Sequence, residues 1–427
     1  MKVLIVGGGG REHAIALKIK ENPEVTALYA APGNGGIAQI ATCLPFKATD
    51  VDGIVRWAAE NKVDFVIVAP DDPLCLGMVD ALAAQGIPAF GPRKNAAIIE
   101  GSKVFSKNLM KKYGIPTAAY ETFDDYDAAV KYLQTADMPI VVKADGLALG
   151  KGVLICPDRE SAVEAVASMM KEAKFGASGA RVVIEEFLTG PEVSVLAFTD
   201  GKTVKPMVSS MDHKRALDHD EGLNTGGMGT IAPNPCYTPE LARRCMDEIF
   251  LPTIAAMNAE GRTFTGCLYF GLMMTPKGPK VIEYNCRFGD PETQEVLPLL
   301  KSDLLTIMRA TVDGTLADTP VEFTSGAACC VVLASGGYPV SYKSGYPISG
   351  LDEAGKTATV FHAGTKLVDG QIVTAGGRVL GVTATADTLE AAIDKAYQAA
   401  DKITFTDMHM RRDIGQRALA SRKESHS

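Results

Sequence analysis

Residues 141–153 read VVKADGLALGKGV, a β-branched run that ends at Lys143 and passes through a glycine-rich turn to Lys151 and a second strand. A Walker A loop needs G-x-x-x-x-G-K-[ST], whereas here the spacing is shorter and Lys151 is followed by Gly152. A strand, a glycine flap containing Gly150, and a second strand can close over a triphosphate, because backbone amides and lysines neutralise it. Surface lysines beside glycines are also common, so the flap alone does not decide the function.

A second candidate for nucleotide contact follows the flap. Residues 181–187 predict a strand, and residues 185–188 (EEFL) lead into a connecting segment with Glu192. Backbone groups of that segment can meet an adenine edge, and the Glu192 carboxylate can accept hydrogen bonds from ribose hydroxyls. An acidic pair after a strand is more often a solvated strand end, so this reading depends on the neighbouring motifs.

Residues 283–294 read EYNCRFGDPETQ and predict a metal site. Glu283 and Asn285 are two positions apart on a predicted strand, so their side chains share a face. Carboxylate and amide oxygens are hard ligands that suit Mg²⁺, which takes its other ligands from water and phosphate. Arg287 and Asp290 follow, and they can hold the carboxylate and the ammonium of an amino acid; the alternative is a structural Arg–Asp turn.

The N-terminus predicts a strand at residues 2–6, a turn of glycines from Gly7 to Gly10, and a helix. The dinucleotide fingerprint G-x-G-x-x-G lacks its third glycine here, and the end of the second strand carries no carboxylate for a ribose. A nicotinamide cofactor is therefore disfavoured. The residues from Gly8 to Arg11 still suit a single phosphate at a helix start, and a tight turn without a ligand is the alternative.

The order of elements predicts several domains. Short strands at residues 2–6, 27–31, 65–69 and 88–91 alternate with helices, which is typical of a doubly wound parallel sheet. We therefore expect an α/β and α+β multidomain fold. Its parts are an N-terminal α/β domain (1–102), a central domain (103–315) with a flap subdomain at about 117–190, and a β-rich C-terminal domain (324–420).

Composition limits the class of protein. The chain has 427 residues and a formal net charge of −8, which argues against a nucleic-acid partner because such proteins present a basic face. Its nine cysteines form no CxxC pair, which favours a reducing compartment. The apolar runs are shorter than a membrane span, and the N-terminus does not resemble a signal peptide. We expect a cytoplasmic protein without a membrane or nucleic-acid partner.

Taken together, these motifs resemble the ATP-grasp superfamily and, within it, the phosphoribosylamine–glycine ligase family over nearly the whole chain. The combination of DHKR, NTGGMG and NCRFGDPETQ is specific to that family. The matching segments are residues 7–13 (GGGGREH), 31–34 (APGN), 100–103 (EGSK), 143–153, 185–188, 212–215 (DHKR), 224–229 (NTGGMG), 283–294, 361–365 (FHAGT) and 376–379 (GGRV).

The resemblance implies a reaction and a set of site residues. ATP phosphorylates glycine, and the amine of 5-phosphoribosylamine displaces phosphate to give glycinamide ribonucleotide in purine biosynthesis. ATP is thus a co-substrate, and Mg²⁺ or Mn²⁺ is held by Glu283 and Asn285. The implied ATP-binding residues are Lys103, Lys143, Lys151, Gly150, Gly152, Glu185, Glu186, Phe187, Leu188 and Glu192. The implied substrate-binding residues are Gly8, Gly9, Gly10, Arg11, Asn34, Asp212, His213, Lys214, Arg287 and Asp290, of which Arg287, Asp290, Asp212 and Lys214 are the catalytic candidates.

Some positions depart from the family pattern. Gly8 stands where the family usually has Asn, and Asp71 where it usually has Glu; Leu149 and Leu223 replace a small residue and a proline. Residues 269–272 (YFGL) lack the second metal-binding carboxylate of many ATP-grasp enzymes. Another ATP-grasp carboxylate ligase of nucleotide metabolism is the alternative enzyme, and a binding protein that kept the fold is the non-enzymatic one. The chain can be a monomer or a homodimer.

Overall fold

A computed structural model describes residues 1–148, 152–172 and 174–425, and the N-terminal part is a parallel sheet with helices packed on it. Its strands lie in the order β3-β2-β1-β4-β5, and β1 pairs in parallel with both β2 and β4. The strands are β1 (Lys2–Gly7), β2 (Ala27–Pro32), β3 (Thr42–Cys43), β4 (Phe65–Val68) and β5 (Ala89–Phe90). The helices are α1 (Gly10–Lys20), α2 (Val51–Glu60), α3 (Asp71–Cys75), α4 (Met78–Ala84) and α5 (Lys94–Gly101).

Helix α6 (Lys103–Tyr113) joins this part to an antiparallel sheet of order β6-β9-β7-β8. The local sequence fixes both helix ends: the Ser102 side chain accepts a hydrogen bond from the Phe105 amide, and Gly114 ends the helix at φ 68°. The elements of this sheet unit are β6 (Tyr120–Phe123), α7 (Tyr126–Leu133), β7 (Ile140–Ala144), β8 (Val153–Cys156), α8 (Arg159–Met170) and β9 (Val182–Glu186).

A second antiparallel sheet, of order β11-β10-β16-β17, faces the first one. Its central strands are apolar and fully buried, as in residues 195–198 and 267–272. The elements that follow β9 along the chain are β10 (Glu192–Thr199), β11 (Val204–Pro206), β12 (Met211–Asp212), β13 (Arg215–Leu217), β14 (Glu221–Asn224), β15 (Gly229–Ala232), α9 (Pro239–Cys245), α10 (Leu251–Ala259), β16 (Gly266–Thr275), β17 (Gly278–Asn285), α11 (Glu292–Val296) and α12 (Leu304–Asp313).

The C-terminal part is built on a sheet of order β12-β15-β18-β22-β19, with α14 packed on it. Strands β12 and β15 come from the middle of the chain, and β15 pairs with β18, so this sheet ties the central segment to the C-terminus. The remaining elements are β18 (Ala327–Ala334), α13 (Leu351–Gly355), β19 (Thr359–His362), β20 (Thr365–Val368), β21 (Gln371–Thr374), β22 (Arg378–Ala386), α14 (Leu389–Ala400) and α15 (Gln416–Ser425).

The predicted fold class is confirmed, because the N-terminal sheet is parallel and the C-terminal part is β-rich. The sequence also predicts helices over residues 103–113 and 159–173; the first has these ends in the structure, whereas the second ends at Met170. Glu192 begins strand β10 and does not lie in an irregular connection, because residues 192–199 pair along β16. Within the described residues, no helix is long and apolar enough to cross a membrane.

Candidate active site

A cavity of about 1000 Å³ lies between the two antiparallel sheets and reaches the N-terminal and C-terminal parts. It brings together most of the residues that the sequence singled out, although they come from every part of the chain. The predicted site residues on its wall are Arg11, Lys103, Lys143, Gly152, Glu185, Glu186, Phe187, Leu188, Glu192, Asp212, Lys214, Glu283, Asn285, Arg287 and Asp290. Gly150, Lys151 and the substituted Leu149 lie outside the described residues.

One end of the cavity carries a cluster of lysines around Glu185. The Lys107 ammonium lies 2.6 Å from the Glu185 carboxylate, and the Lys143 ammonium pairs with the same group. Lys107 also donates to Thr117 Oγ1 at 2.7 Å, and Lys143 donates to the Ile282 carbonyl at 3.2 Å. Burial lowers the pKa of Lys107 to about 8, against the opposing effect of Glu185. Burial favours the neutral form of Glu185, but the two ammonium groups outweigh it and lower the pKa.

Lys103 belongs to the same end, at the base of the flap. Its ammonium donates to the Gly146 carbonyl at 3.0 Å, and burial is the main cause of its lowered pKa. Asp145 holds this base together: its carboxylate accepts the Val104 amide at 2.8 Å and pairs with Arg181 at 2.5 Å. The flap strands therefore keep a fixed connection to the start of α6.

The predicted adenine segment lies along the wall between β9 and β10. Glu186, Phe187 and Leu188 line the cavity. Glu185 differs from the expectation, because its carboxylate is taken up by Lys107 and Lys143 and is buried. The Glu185 side chain therefore orients Lys107 and Lys143, and only the Glu185 backbone can contact an adenine base.

Glu283 and Asn285 lie on β17, and both side chains reach the cavity wall. The Asn285 Nδ2 donates to Glu100 Oε1 at 3.2 Å and to the Tyr284 carbonyl at 2.9 Å, which leaves Oδ1 of that amide as a possible metal ligand. The Glu283 carboxylate lies 3.4 Å from the Lys214 ammonium, and nearby cations lower its pKa despite burial. An ionised carboxylate and an amide oxygen form a donor set that fits Mg²⁺ or Mn²⁺.

Arg287 and Asp290 do not pair with each other. The Arg287 guanidinium lies 3.0 Å from Glu100, whose other oxygen accepts the Cys286 amide at 2.7 Å. Asp290 accepts the Gln294 side-chain amide at 2.8 Å, and its other oxygen accepts the Arg11 backbone amide at 3.2 Å. Each residue has its own partner, so the simple Arg–Asp turn that we considered is wrong.

The glycine loop at the start of α1 packs internally. Asn34 donates to the Gly8 carbonyl at 3.0 Å and to the His362 carbonyl at 2.7 Å, so its side-chain amide joins three loops. A Cβ atom at Gly8 would collide with the Gly33 carbonyl oxygen, which explains a glycine at this position. The side chain of Glu12 accepts the Gly9 amide at 2.7 Å. Of this loop only Arg11 reaches the cavity wall; Gly8, Gly9, Gly10 and Asn34 do not line it.

The DHKR segment divides between cavity and core. Asp212 and Lys214 line the cavity, whereas His213 is buried and does not line it. The His213 Nδ1 donates to the Gly229 carbonyl at 2.9 Å, and Nε2 accepts the Gly415 amide at 3.1 Å. Burial lowers the pKa of His213 to about 4, so the ring stays neutral and structural. Burial and the nearby Glu292 raise the pKa of Asp212.

The structure adds cavity residues that the sequence reading missed. They are Asp71, which had been noted only as a departure, and Glu100, Lys107, Tyr269, Glu292 and Arg378. Tyr269 donates to Glu292 at 3.0 Å, and Arg378 donates to the Asp290 carbonyl at 2.8 Å. Glu100, Glu292 and Arg378 stand in motifs that were already recognised, so attention to every charged residue of those motifs would have found them. Lys107 carries no signal beyond its position one turn after Lys103.

Solved structures and a domain match define the class of protein. The biotin carboxylase domain of the Hydrogenobacter thermophilus 2-oxoglutarate carboxylase has a TM-score of 0.72 at 18% identity, covering 96% of this chain and 91% of that one. This likeness shows the fold. A model of an ATP-grasp domain matches residues 101–293. The chain therefore has an ATP-grasp fold.

The flanking segments narrow this class to a family. Models of the phosphoribosylglycinamide synthetase N domain and C domain match residues 1–100 and 328–417, on either side of its ATP-grasp domain. The phosphoribosylamine–glycine ligases of Halalkalibacterium halodurans and Vibrio cholerae are 48% and 47% identical over 100% and 98% of this chain, and each is covered to 99%. The solved phosphoribosylamine–glycine ligase of Thermotoga maritima has a TM-score of 0.86 at 34% identity, covering 97% of this chain and all of that one. The chain belongs to the phosphoribosylglycinamide synthetase family and is an ATP-dependent ligase, which confirms the predicted resemblance.

Proposed function

We propose that this chain joins glycine to 5-phosphoribosylamine with ATP, giving glycinamide ribonucleotide, ADP and phosphate in purine biosynthesis. The observation that carries the proposal is one cavity with two chemically different ends. Lys103, Lys107 and Lys143 supply positive charge at one end, and Asp212, Asp290 and Glu292 lie at the other. The family relatives, which are named phosphoribosylamine–glycine ligases, support the same reaction.

The reaction proceeds in two displacements. A glycine carboxylate oxygen attacks the γ-phosphorus of ATP, and the bond to ADP breaks to leave glycyl phosphate. The amine nitrogen of phosphoribosylamine then attacks the acyl carbon, phosphate leaves with its electron pair, and the nitrogen loses one proton. No protein nucleophile takes part, so the protein contributes positioning and charge stabilisation.

The lysine end supplies that stabilisation for the phosphates. Lys103, Lys143 and the flap residue Lys151 face the phosphates, and Lys107 holds Glu185 so that Lys143 keeps its direction. Backbone groups of residues 185–188 meet the adenine, and Glu192 accepts from the ribose hydroxyls. Gly152 brings a backbone amide of the flap to the triphosphate, and Gly150, which lies outside the described residues, is assigned to ATP binding by its place in the sequence motif. Glu283 and Asn285 would hold Mg²⁺ or Mn²⁺, which offsets negative charge on the phosphates when bound.

The other end holds the acid and the amine. Arg287 attracts the glycine carboxylate and Asp290 attracts an ammonium group, whereas Asp212, whose pKa is raised by burial and by Glu292, contributes a hydrogen bond. Lys214, 3.4 Å from Glu283, lies between the two ends and stabilises the negative charge that develops on the carbonyl oxygen when the amine attacks the acyl carbon. Arg11, the one member of this loop on the cavity wall, receives the phosphoribosyl phosphate, and Gly8, Gly9 and Gly10 act through the backbone that positions Arg11. Asn34 and His213 act on this end through the backbone that they hold, since their side chains bond within the protein.

We further propose domain limits of 1–102, 103–315 with a flap subdomain at about 117–190, and 324–420. A cytoplasmic location follows from the small, charged metabolites of the reaction and from the reduced cysteines. Sedimentation at micromolar concentration distinguishes a monomer from a homodimer.

The deciding assay supplies ATP, Mg²⁺ and glycine, with phosphoribosylamine formed in place from ribose 5-phosphate and ammonia. ADP release that requires both glycine and phosphoribosylamine, with glycinamide ribonucleotide as product, supports the proposal. ADP release that requires formate or bicarbonate in place of glycine would identify another carboxylate ligase and overturn it.

A further inference from the structure

A short segment near the C-terminus lies across the segment that carries Lys214. We define the strap as residues 409–415; it contacts the DHKR segment (residues 212–215) and the following Ala216. The strap is anchored to the C-terminal sheet, because His409 exchanges backbone hydrogen bonds with Ala334 of β18 at 2.7 Å and 2.8 Å. It is therefore a fixed support for whatever it binds.

The strap binds both chain neighbours of Lys214. On one side, the Gly415 amide donates to His213 Nε2 at 3.1 Å. On the other side, Arg411 donates to the Arg215 carbonyl at 3.2 Å, and His409 Nε2 donates to the Ala216 carbonyl at 2.7 Å. Lys214 itself is left to point into the cavity.

Arg411 is the centre of this arrangement. It is among the largest fully buried side chains, with 1% exposure, and its guanidinium pairs with Asp413 at 2.8 Å and with Asp220 at 3.0 Å. A buried guanidinium is stable only when it is paired with carboxylates or other acceptors. Its planar shape fixes the directions of the hydrogen bonds that it donates to them. Asp413 in turn accepts the His219 amide at 2.9 Å, so the β13–β14 connection is held as well.

The Lys214 ammonium lies close to two carboxylates of the proposed site. The Lys214 ammonium lies 3.4 Å from Glu283 and 4.0 Å from Glu192, the proposed metal and ribose ligands. Thr225 holds the Lys214 carbonyl from the opposite side: its backbone amide donates to that oxygen at 2.7 Å, and its Oγ1 donates at 2.8 Å. A displacement of the backbone by about 1 Å would change these charge separations and cost a large factor in rate.

We propose that Arg411 is a positioning residue of the ligase: from the C-terminal part of the chain, it holds Lys214 in register with Glu283. The C-terminal domain thereby helps to assemble the ATP and metal end of the cavity, which is made of other domains. This inference rests on the proposed roles of Lys214 and Glu283.

A double-mutant cycle in the full chain tests it. Arg411→Met is combined with Lys214→Ala, and kcat, KM for ATP and the Mg²⁺ concentration at half-maximal rate are measured. If Arg411 acts through Lys214, Arg411→Met alone lowers kcat roughly tenfold and raises the Mg²⁺ requirement, yet in the Lys214→Ala background it adds less than about twofold. Losses that multiply in the double variant would overturn the inference.

Controls separate positioning from folding. Arg412→Met removes the neighbouring guanidinium, which pairs with Asp401 at the surface, and we expect wild-type kinetics from it. Arg411→Lys keeps the positive charge but loses the planar guanidinium, and Asp413→Asn weakens the ion pair with that guanidinium. Both variants test the inference if Arg411→Met does not fold. Either variant must raise the Mg²⁺ requirement while far-UV circular dichroism is unchanged; an unchanged requirement contradicts the inference. If Lys214→Ala alone is fully active, the proposed role of Lys214 has failed and not the strap contact.

Discussion

The Asp290 carboxylate accepts the Arg11 backbone amide at 3.2 Å, although the two residues are 279 positions apart in the chain. Its other oxygen accepts Gln294 at 2.8 Å and lies 3.7 Å from the Arg378 guanidinium. An anion at the start of a helix is favourable, because backbone amides there lack partners. The helix α1 that looked ready for a phosphate therefore already has a protein carboxylate at its first turn, and this contact connects the N-terminal, central and C-terminal parts.

We predict that Asp290→Asn weakens both stability and activity. The amide oxygen can accept only one of the two donors, and the charge opposite Arg378 is lost, so the free energy of unfolding should fall by about 1–3 kcal/mol. Urea unfolding and the steady-state rate measure the two effects. Asp313→Asn, at an exposed helix end, is the control and should change neither. Wild-type values for Asp290→Asn would show that the connection contributes nothing.

Removal of the Lys107 ammonium should weaken ATP binding. In Lys107→Met, Lys143 becomes the only ammonium that pairs with Glu185, so the carboxylate neutralises more of the Lys143 charge and less of it is left for the phosphates. We expect KM for ATP to rise roughly tenfold, equivalent to about 1.4 kcal/mol. Lys111→Met, on the same helix and over the Tyr120 ring, is the matched control. Equal KM values for ATP in the two variants would show that Lys107 does not contribute to ATP binding.

The same lysine gives a prediction about pH. Burial lowers the pKa of Lys107 to about 8, so its charge is present below pH 8 and is lost above it. KM for ATP in the wild type should therefore rise between pH 7.5 and pH 9. Lys107→Arg, which stays charged over this range, should flatten the profile; a profile that is unchanged in Lys107→Arg would assign the titration to another group.

The pair Glu283 and Asn285 should be indispensable for turnover. Glu283→Gln with Asn285→Ala removes the ionised carboxylate and the amide oxygen, so we expect ADP release to fall below detection while far-UV circular dichroism stays the same. Lys277→Ala, at the exposed tip of the same β16–β17 hairpin, should retain full activity. Full activity of the double variant would disprove the metal assignment.

Much of the fold and site could be predicted because it is encoded locally. A β-branched run before a glycine turn predicts β1, and the run that ends at Lys143 predicts β7. Two-residue spacing on β17 predicts that Glu283 and Asn285 face the same space. These features depend on neighbours in sequence, which a reader of the sequence can see.

Other features depend on residues that are distant in sequence. Nothing near His213 indicates that Gly415 and Gly229 occupy both ring nitrogens, and nothing near Glu185 indicates that Lys107 and Lys143 share it. The departure at Gly8 is likewise explained only by the approach of the Gly33 carbonyl from the next strand end. Such partners decide whether a polar residue serves a ligand or the fold, and only the tertiary structure identifies them.

A last prediction concerns acid stability and the contact between α1 and β19. His13 Nδ1 accepts the His362 amide at 2.7 Å, and His362 Nδ1 shares a hydrogen bond of 3.0 Å with Thr365. Burial lowers the pKa of His13 to about 3, with a further contribution from His362, and burial lowers the pKa of His362 to about 4. Both rings are therefore neutral in the folded protein, while in the unfolded chain they bind protons near pH 6.5.

The stability that depends on these neutral rings is complete above pH 6.5 and is lost as the pH falls toward 4, because the unfolded state then binds more protons. Each histidine should lower the free energy of unfolding by about 2 kcal/mol at pH 5 relative to pH 7.5. His13→Asn keeps an acceptor near the position of Nδ1, but the new side chain cannot titrate. The free energy of unfolding of this variant should therefore fall by about 2 kcal/mol less than that of the wild type between pH 7.5 and pH 5. Urea unfolding at both pH values measures the difference, and His219→Asn, at an exposed turn, is the control. Equal pH dependence in His13→Asn and the wild type would mean that the buried pair does not govern acid stability.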